Sequence, residues 1–340
     1  MKAVVYRNYG SPDVLACEEV AKPTPGDREV LIKVGAAAAN PLDYHLMSGA
    51  YLMRLMTGLR KPKMTIPGVD VAGEVEAVGR NVTRFQPGDA VFGAARGAFA
   101  EYVCAAENRL ALKSANLTFE QAAAIPVAGL TALQGLRDKG RLQPGQKVLI
   151  NGASGGVGTF AVQVAKSLGA RVTGVCSTRN LDLVRSIGAD YVIDYTADDF
   201  TRSAERYDLI FDCVGNRPLS ACRRVMTPGG TFLPVGVRPG GRWIGPLPHL
   251  VTLLVSSRFV SQKVVFFIAS VSPDDLIVLT ELIEAKKVTP VIDRRYRLDE
   301  AAEAIRYLRQ GHARGKVVIV LEENFQPQPS TFQGRRPVPV

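Results

Sequence analysis

Histidine and tryptophan are scarce in this chain, which has three histidines and one tryptophan in 340 residues. A metal centre built on imidazoles has little to draw on. The five cysteines, Cys17, Cys104, Cys176, Cys213 and Cys222, are odd in number, widely spaced and lack a C-x-x-C pair. That excludes a disulfide scaffold and a four-cysteine structural zinc. It points to reduced thiols in a reducing compartment, here expected to be the cytoplasm. No run of five lysines and arginines occurs, although the net charge is +10. Scattered positive charge suits an anionic small ligand, and no nucleic-acid partner is expected. The start, "MKAVVYRNYG", has no apolar h-region, so no secretory signal is expected. The apolar stretch 250–269 carries Arg258, Gln262 and Lys263 in its middle. Each central Arg or Lys costs about 2.5–3.5 kcal/mol on insertion scales, so this reads as a buried segment at a domain or subunit interface and not as a membrane span.

What is present is enough for two domains. Residues 1–123 alternate short strand-like runs ("EVLIKVGAAA", "DVAGEVEAVG", "GDAVFGAA", "AEYVCAAE") with Gly/Pro turns, the pattern of a small antiparallel barrel. The period then changes to helical in "TFEQAAAIPVAGLTALQGLRDKG", with Thr118 as its N-cap. From Lys147 strands and helices alternate: "KVLING", "RVTGVCS", "YVIDY", "DLIFDCVG" and "GTFLPVG" read as buried parallel strands. Helices connect them, one being "RPLSACRRVMTPGG", ending at Gly229. Repeated β-α-β units predict a doubly wound sheet. Two amphipathic helices, "PDDLIVLTELIEAKK" and "LDEAAEAIRYLRQG", precede a last strand "GKVVIVL". The Pro- and Gln-rich residues 323–340 have little to bury and read as a disordered tail.

Between the first strand of the β-α-β region and its helix lies "NGASGGVG". Ala153, Gly155 and Gly158 occupy the three glycine positions of a dinucleotide fingerprint, with Ser154 and Gly156 between them. Gly155 lets a diphosphate approach, Gly158 lets helix and strand close on each other, and the N–H groups of Gly156 and Val157 face phosphate at a helix N-terminus. The second strand ends in "CSTRN". An NAD site tends to carry an acid there for the ribose 2′-OH. Ser177, Thr178 and Arg179 instead offer two hydroxyls and a guanidinium, which suits the 2′-phosphate of NADPH.

Together "IPVAGLTALQGL", "NGASGGVG", "GADYVIDY" and the final "GKVVI" resemble the medium-chain dehydrogenase/reductase superfamily, and within it the zinc-free quinone oxidoreductase and enone reductase branch. The likeness spans about residues 1–322. It implies an α/β fold with a GroES-like β-barrel catalytic domain, residues 1–123 and 272–322, and a Rossmann NADPH-binding domain, residues 124–271. Where zinc relatives carry Cys, His and Cys ligands, the likeness places Asn40, Val69 and Val127, so no metal is expected. Asp70, two residues after Gly68, reads as a structural acid that bonds turn N–H groups among apolar neighbours.

The same resemblance implies a function: hydride transfer from NADPH to a quinone or to the C=C of an α,β-unsaturated carbonyl. It places Asn40 on the nicotinamide ribose or the substrate oxygen, with Tyr44, His45 and Tyr51 as ring-stackers and proton donors. Thr131 would touch the nicotinamide end, Tyr195 the adenine ribose or phosphate, and Val214, Val235 and Gly236 the cofactor at strand ends. Lys316 would stand near the diphosphate or nicotinamide. Residues 50–64 form a lid over the substrate or a packing or dimer loop. A homodimer is implied, through the sheet edge near 250–270. Two rival readings remain: an alcohol dehydrogenase with an unusual metal set, and a catalytically silent NADPH sensor or scaffold.

Overall fold

The computed structural model describes residues 1–49, 54, 58–236 and 262–321. Two sheets organise the chain. The first contains β3 (Glu29–Ala39), β4 (Asp70–Val78), β5 (Ala90–Ala94), β6 (Tyr102–Ala106) and β7 (Leu110–Leu112), joined by β14 (Ile292–Arg297) and β15 (Lys316–Val320) from the far end of the chain. It is antiparallel except where β14 runs beside β15. A separate hairpin pairs β1 (Lys2–Val5) with β2 (Ala16–Glu19).

The second sheet is wholly parallel, in the order β10-β9-β8-β11-β12-β13. Its strands are β8 (Lys147–Asn151), β9 (Arg171–Cys176), β10 (Tyr191–Asp194), β11 (Tyr207–Asp212), β12 (Met226–Pro234) and β13 (Lys263–Val264). The order reverses at β8, so the crevice beyond the carboxyl ends of β8 and its neighbours is where a doubly wound sheet binds ligands.

Small residues bring the helices onto the first sheet. Strand β3 buries Ala36 and Ala38 on one face and Ala37 and Ala39 on the other. A Cβ on Gly35 would stand 2.7 Å from the Phe119 ring. The bare backbone there admits the short helix α2 (Phe119–Ala123). Helix α1 (Pro41–Ser48) follows β3 directly. The single helix expected from residue 118 onward is divided. Pro126 has no N–H to continue α2 and instead occupies the first turn of α3 (Pro126–Leu133), which ends in a π-helical stretch, Gln134–Lys139. The capping prediction holds: Thr118 Oγ1 accepts from Gln121 N, and Gln121 Oε1 accepts from Thr118 N.

Helices α4 (Gly156–Ser167) and α5 (Leu181–Ser186) connect the first parallel strands. The helix expected to reach Gly229 stops much earlier. Helix α6 covers Leu219–Cys222, a 3₁₀ turn follows, and β12 begins at Met226. Pro228 disfavours helix at the residue before it, and pairing with β11 captures the segment as strand. Strand β10 lies at the edge of the sheet with Tyr191 58% exposed, so "YVIDY" is not the buried strand its composition suggests. Of the apolar stretch 250–269, residues 250–261 lie outside the described residues. Phe267 turns inward, its Cζ 2.8 Å from where a Gly135 Cβ would stand, while Ile268 is 97% exposed.

Helix α7 (Pro273–Glu284) rests on α3, and α8 (Ala301–Arg309) covers the opposite face of the first sheet. The segment between α7 and β14 is tied to the parallel-sheet half through Gln163. Gln163 of α4 donates through Nε2 to Thr289 O at 3.0 Å, and its Oε1 accepts from Thr289 N at 2.8 Å. Gln163→Ala strands both backbone groups at a site where Gln163 is 6% exposed. Urea unfolding should show a loss of about 1–3 kcal/mol with an unchanged slope.

Candidate active site

The glycine loop is built as its spacing predicts. Gly158 lies against the turn it follows: a Cβ there would be 2.1 Å from Gly152 O. Gly155 faces open space, since its Cβ would meet nothing closer than Gly152 O at 3.5 Å. Helix α4 starts at Gly156 with no side-chain cap on its first N–H groups. Gly155 and the uncapped first turn therefore form a recess that any side chain at Gly155 would partly fill, and that fits a diphosphate.

The wall facing this recess comes from the other sheet. Lys316, the first residue of β15, is 3% exposed. Its Cδ stands 3.1 Å from the Cβ position of Gly156. Its Nζ donates to Asn40 Oδ1 at 2.6 Å and to Asp70 Oδ2 at 3.0 Å. Asp70 is fully buried. Its Oδ2 also accepts from Asn40 Nδ2 at 3.0 Å, and its Oδ1 accepts from Val127 N at 2.9 Å, in the first turn of α3. The expectation for Asp70 is thus corrected. It bonds one helix N–H, but its partners are an ammonium and an amide and not turn groups among apolar neighbours. An anion at a helix N-terminus beside a buried cation is doubly compensated.

Asn40 is 3% exposed. Both Nδ2 hydrogens are engaged, on Asp70 and on Ala38 O, and Oδ1 takes the lysine. Its N–H donates to Asp43 Oδ2 at 2.7 Å, and Gly68 N donates to Asp43 Oδ1 at 3.2 Å. Asp43 was not singled out in the sequence. Burial, with the Asp70 carboxylate near, pushes its pKa up to about 7, against the pull of the Asn40 and Gly68 N–H groups and of Lys316.

The remaining sequence candidates divide into groups. Val214, Val235 and Gly236 follow β11 and β12 at the carboxyl edge of the parallel sheet. There Val235 N and Gly236 N both donate to Asp212 O at 2.8 Å, and Val214 N donates to Asp212 Oδ1 at 3.0 Å. Tyr195, 45% exposed, is pinned beside the end of β9 by its N–H on Cys176 O. Thr131 donates its hydroxyl to Val127 O at 2.6 Å within α3, which leaves it only acceptor capacity.

Tyr44 turns toward α8, where the Arg309 guanidinium lies 4.5 Å from its ring centroid. Its ring packs with the core cluster under α8. His45 lies on the exposed side of α1, its ring 5.7 Å from that of Tyr44. Desolvation by the surrounding chain lowers its pKa from the usual 6.5. Tyr51 lies outside the described residues, as does most of the first half of the 50–64 loop.

At the end of β9 the hydroxyls differ. Thr178 Oγ1 donates to Asp194 Oδ2 at 2.6 Å, so its proton is not free for a phosphate. The acid missing from the end of β9 stands one strand over, at the end of β10. Hydrogen bonds from Thr178 and Thr196 keep Asp194 ionised, its pKa below the usual value. Arg179 donates one N–H to His312 O at 3.0 Å, which brings the loop before β15 to the end of β9. Asn180, also unremarked in the sequence, is buried and donates to Ser154 Oγ at 2.9 Å and Ser177 Oγ at 3.2 Å.

Comparison with known proteins agrees with this layout. Residues 26–115 match the alcohol dehydrogenase GroES-like domain family, and residues 187–319 match a zinc-binding dehydrogenase family. A chloroplastic quinone oxidoreductase of Triphysaria versicolor is 36% identical over 335 residues, covering 94% of this chain and 98% of the relative. A chloroplastic NADPH-dependent alkenal/one oxidoreductase of Arabidopsis thaliana is 34% identical, covering 94% of this chain and 79% of the relative. Among solved structures, a quinone oxidoreductase from Coxiella burnetii superimposes with a TM-score of 0.84 at 30% identity, over 95% of this chain and 99% of that one.

Two stability measurements test the buried network. Asp70→Ala leaves the Lys316 ammonium buried without its carboxylate and should cost about 3–5 kcal/mol in denaturant unfolding. Adding Lys316→Met should restore part of that loss, so the double variant is less damaged than the two single losses summed; strict additivity would show the pair uncoupled.

The second measurement follows pH. The folded pKa of Asp43, about 7, lies above the ordinary 3.8. The folded state therefore holds a proton that the unfolded chain releases. The resulting stability is full below about pH 4 and is lost as pH rises toward about 7. Asp43→Asn should flatten the unfolding free energy across that window, by up to about 1.4 kcal/mol per pH unit.

Proposed function

The chain belongs to the medium-chain dehydrogenase/reductase superfamily, in its quinone oxidoreductase and enone reductase branch, and we propose that it uses NADPH to reduce a quinone or the C=C of an α,β-unsaturated carbonyl. The observation that carries this reading is the open glycine recess facing a buried ammonium. The likeness to zinc relatives puts Asn40, Val69 and Val127 at their ligand positions, and the acid beside them, Asp70, has Lys316 as its counterion. That donor set favours a metal-free site. Without a Lewis acid, alcohol oxidation is hard, while an acceptor that is already electrophilic needs only position, dryness and a proton.

NADPH, when bound, supplies the hydride. In this reading it lies between the two lobes, residues 1–123 with 272–322 and residues 124–271. Gly155, Gly156, Val157 and Gly158 receive the diphosphate. Ser177 and Arg179 hold the 2′-phosphate. Tyr195 flanks the adenosine, and Val214, Val235 and Gly236 line the crevice. Lys316 holds Asn40 in one rotamer and closes the recess from the opposite lobe. Asn40 then acts as a positioning residue, with one lone pair left on Oδ1, and the direct substrate contact passes to groups nearer solvent. Reduction of an enone leaves an enolate that needs a proton. His45, Tyr51 or water delivers it.

A homodimer and a reducing, cytoplasmic setting complete the reading. They are supported by the place of β13 at the end of the parallel sheet among the described residues and by five free cysteines.

The test is NADPH consumption, alongside NADH, across a panel of quinones and enones with chelator present. Turnover of at least one acceptor supports the reading. Tight NADPH binding with silence across the panel makes the protein a sensor. Arg179→Ala should weaken NADPH by about 10- to 100-fold and leave NADH nearly unchanged, because a hydrogen bond to a charged group contributes about 1.5–3 kcal/mol. Equal losses for both cofactors would remove Arg179 from the site. If an imidazolium at position 45 is the donor, the rate should fall as pH rises through a value below 6.5, and His45→Phe should abolish that limb. A profile unchanged by His45→Phe assigns the proton to Tyr51 or to water.

A further inference from the structure

We infer that Asn180 sets the hydrogen-bond polarity of Ser154 and Ser177, and through Ser177 makes the site selective for a 2′-phosphate. The inference rests on the NADPH reading above and deepens it.

Asn180 is 4% exposed and Ser154 is 8% exposed. The two hydrogens of Asn180 Nδ2 go to Ser154 Oγ at 2.9 Å and Ser177 Oγ at 3.2 Å. Its Oδ1 is buried and has no partner among the described residues. This is the better of the two amide orientations. Reversing it would strand an NH₂ with two donors, where the observed one strands a single carbonyl oxygen.

A serine hydroxyl has one hydrogen and two lone pairs. When its oxygen accepts from a buried amide, its hydrogen is left to donate elsewhere. No described group takes the hydrogen of either serine. Ser154 lies in the glycine loop, and Ser177 directly follows β9. One amide thus prepares a donor at the diphosphate recess and another at the ribose rim.

The neighbour shows the opposite case. The Thr178 proton is held by the Asp194 carboxylate. Of the two hydroxyls at the rim, only that of Ser177 is prepared to donate to a phosphate. A carboxylate close by would attract a free 2′-OH as readily as it repels a phosphate. Selectivity therefore depends on the Ser177 donor working with Arg179. Asn180 is a positioning residue: it acts through Ser177 and touches no reacting atom.

The experiment measures dissociation constants of NADPH, NADH, 2′,5′-ADP and 5′-AMP by calorimetry on the full chain. The wild type should prefer the 2′-phosphorylated member of each pair. Asn180→Ala should cut that preference about tenfold, the value of one net hydrogen bond. Ser177→Ala should do the same, and the double variant should lose no more than either alone. Asn180→Asp, nearly isosteric, should abolish the preference, because its carboxylate takes the Ser177 proton. This variant serves as the test if Asn180→Ala does not fold.

Equal weakening of both members of a pair would mean that Asn180 only supports the fold, and the inference fails. Effects of Asn180→Ala and Ser177→Ala that multiply overturn it too, as does an Asn180→Asp variant with wild-type preference. A wild type without preference for a 2′-phosphate would instead sink the NADPH reading, and this inference with it.

Discussion

A lysine ammonium sealed between two lobes of a protein is stable only if carboxylate and amide groups meet it there. Lys316 begins β15, Asp70 begins β4, Asn40 follows β3, and Val127 lies in the first turn of α3. Four segments distant in sequence therefore have to arrive together, or a charge stays buried unpaired at a cost of several kcal/mol. The same constraint fixes the wall of the recess, because the Lys316 stem lies against Gly156. It also fixes the character of the site. Of the two buried acids in this cluster, Asp70 already has a cation, and Asp43, next to it, is pushed toward its neutral form by burial. Net charge in the cluster stays near zero without help from outside.

The second organising feature is the carboxyl edge of the parallel sheet. Strands β8, β9 and β11 end there, and the segments that follow them are cross-braced by side chains: Asn151 to Asp212, Asp212 to Val214 and Gly215, Asn180 to Ser154 and Ser177. Such bracing lowers the entropy that ligand binding must still remove, which is the general route by which a recess becomes a site.

Much of this was legible in the sequence because it is local. The glycine loop, the Thr118 cap and the alternation of strands and helices each depend on residues a few positions apart. What was not legible depends on partners far away. The Asp70–Lys316 pair spans 246 positions, and nothing near Asp70 announces an ammonium. The Thr178–Asp194 bond crosses from one strand end to the next, so "CSTRN" alone does not tell which hydroxyl has a free proton. Tyr44 and His45 are adjacent in sequence, yet 100° of helical rotation sends one to Arg309 and leaves the other exposed. Asn180 offered one signal, a short amide four residues past a strand end and ahead of a helix, but that is also how an ordinary N-cap reads. The run 217–229 reads as one helix locally, yet α6 stops at Cys222 and β12 begins at Met226, because pairing with β11 is a partner the local sequence does not show.

The most direct test of a metal-free hydride-transfer site is to follow the hydride itself. NADPH carrying deuterium at C4 of the nicotinamide would be mixed with chelator-treated protein and an α,β-unsaturated ketone, and the product read by NMR. The account predicts deuterium on the β-carbon of a saturated ketone, with the carbonyl intact. Deuterium on a carbinol carbon, with the C=C untouched and activity dependent on added zinc, would contradict it.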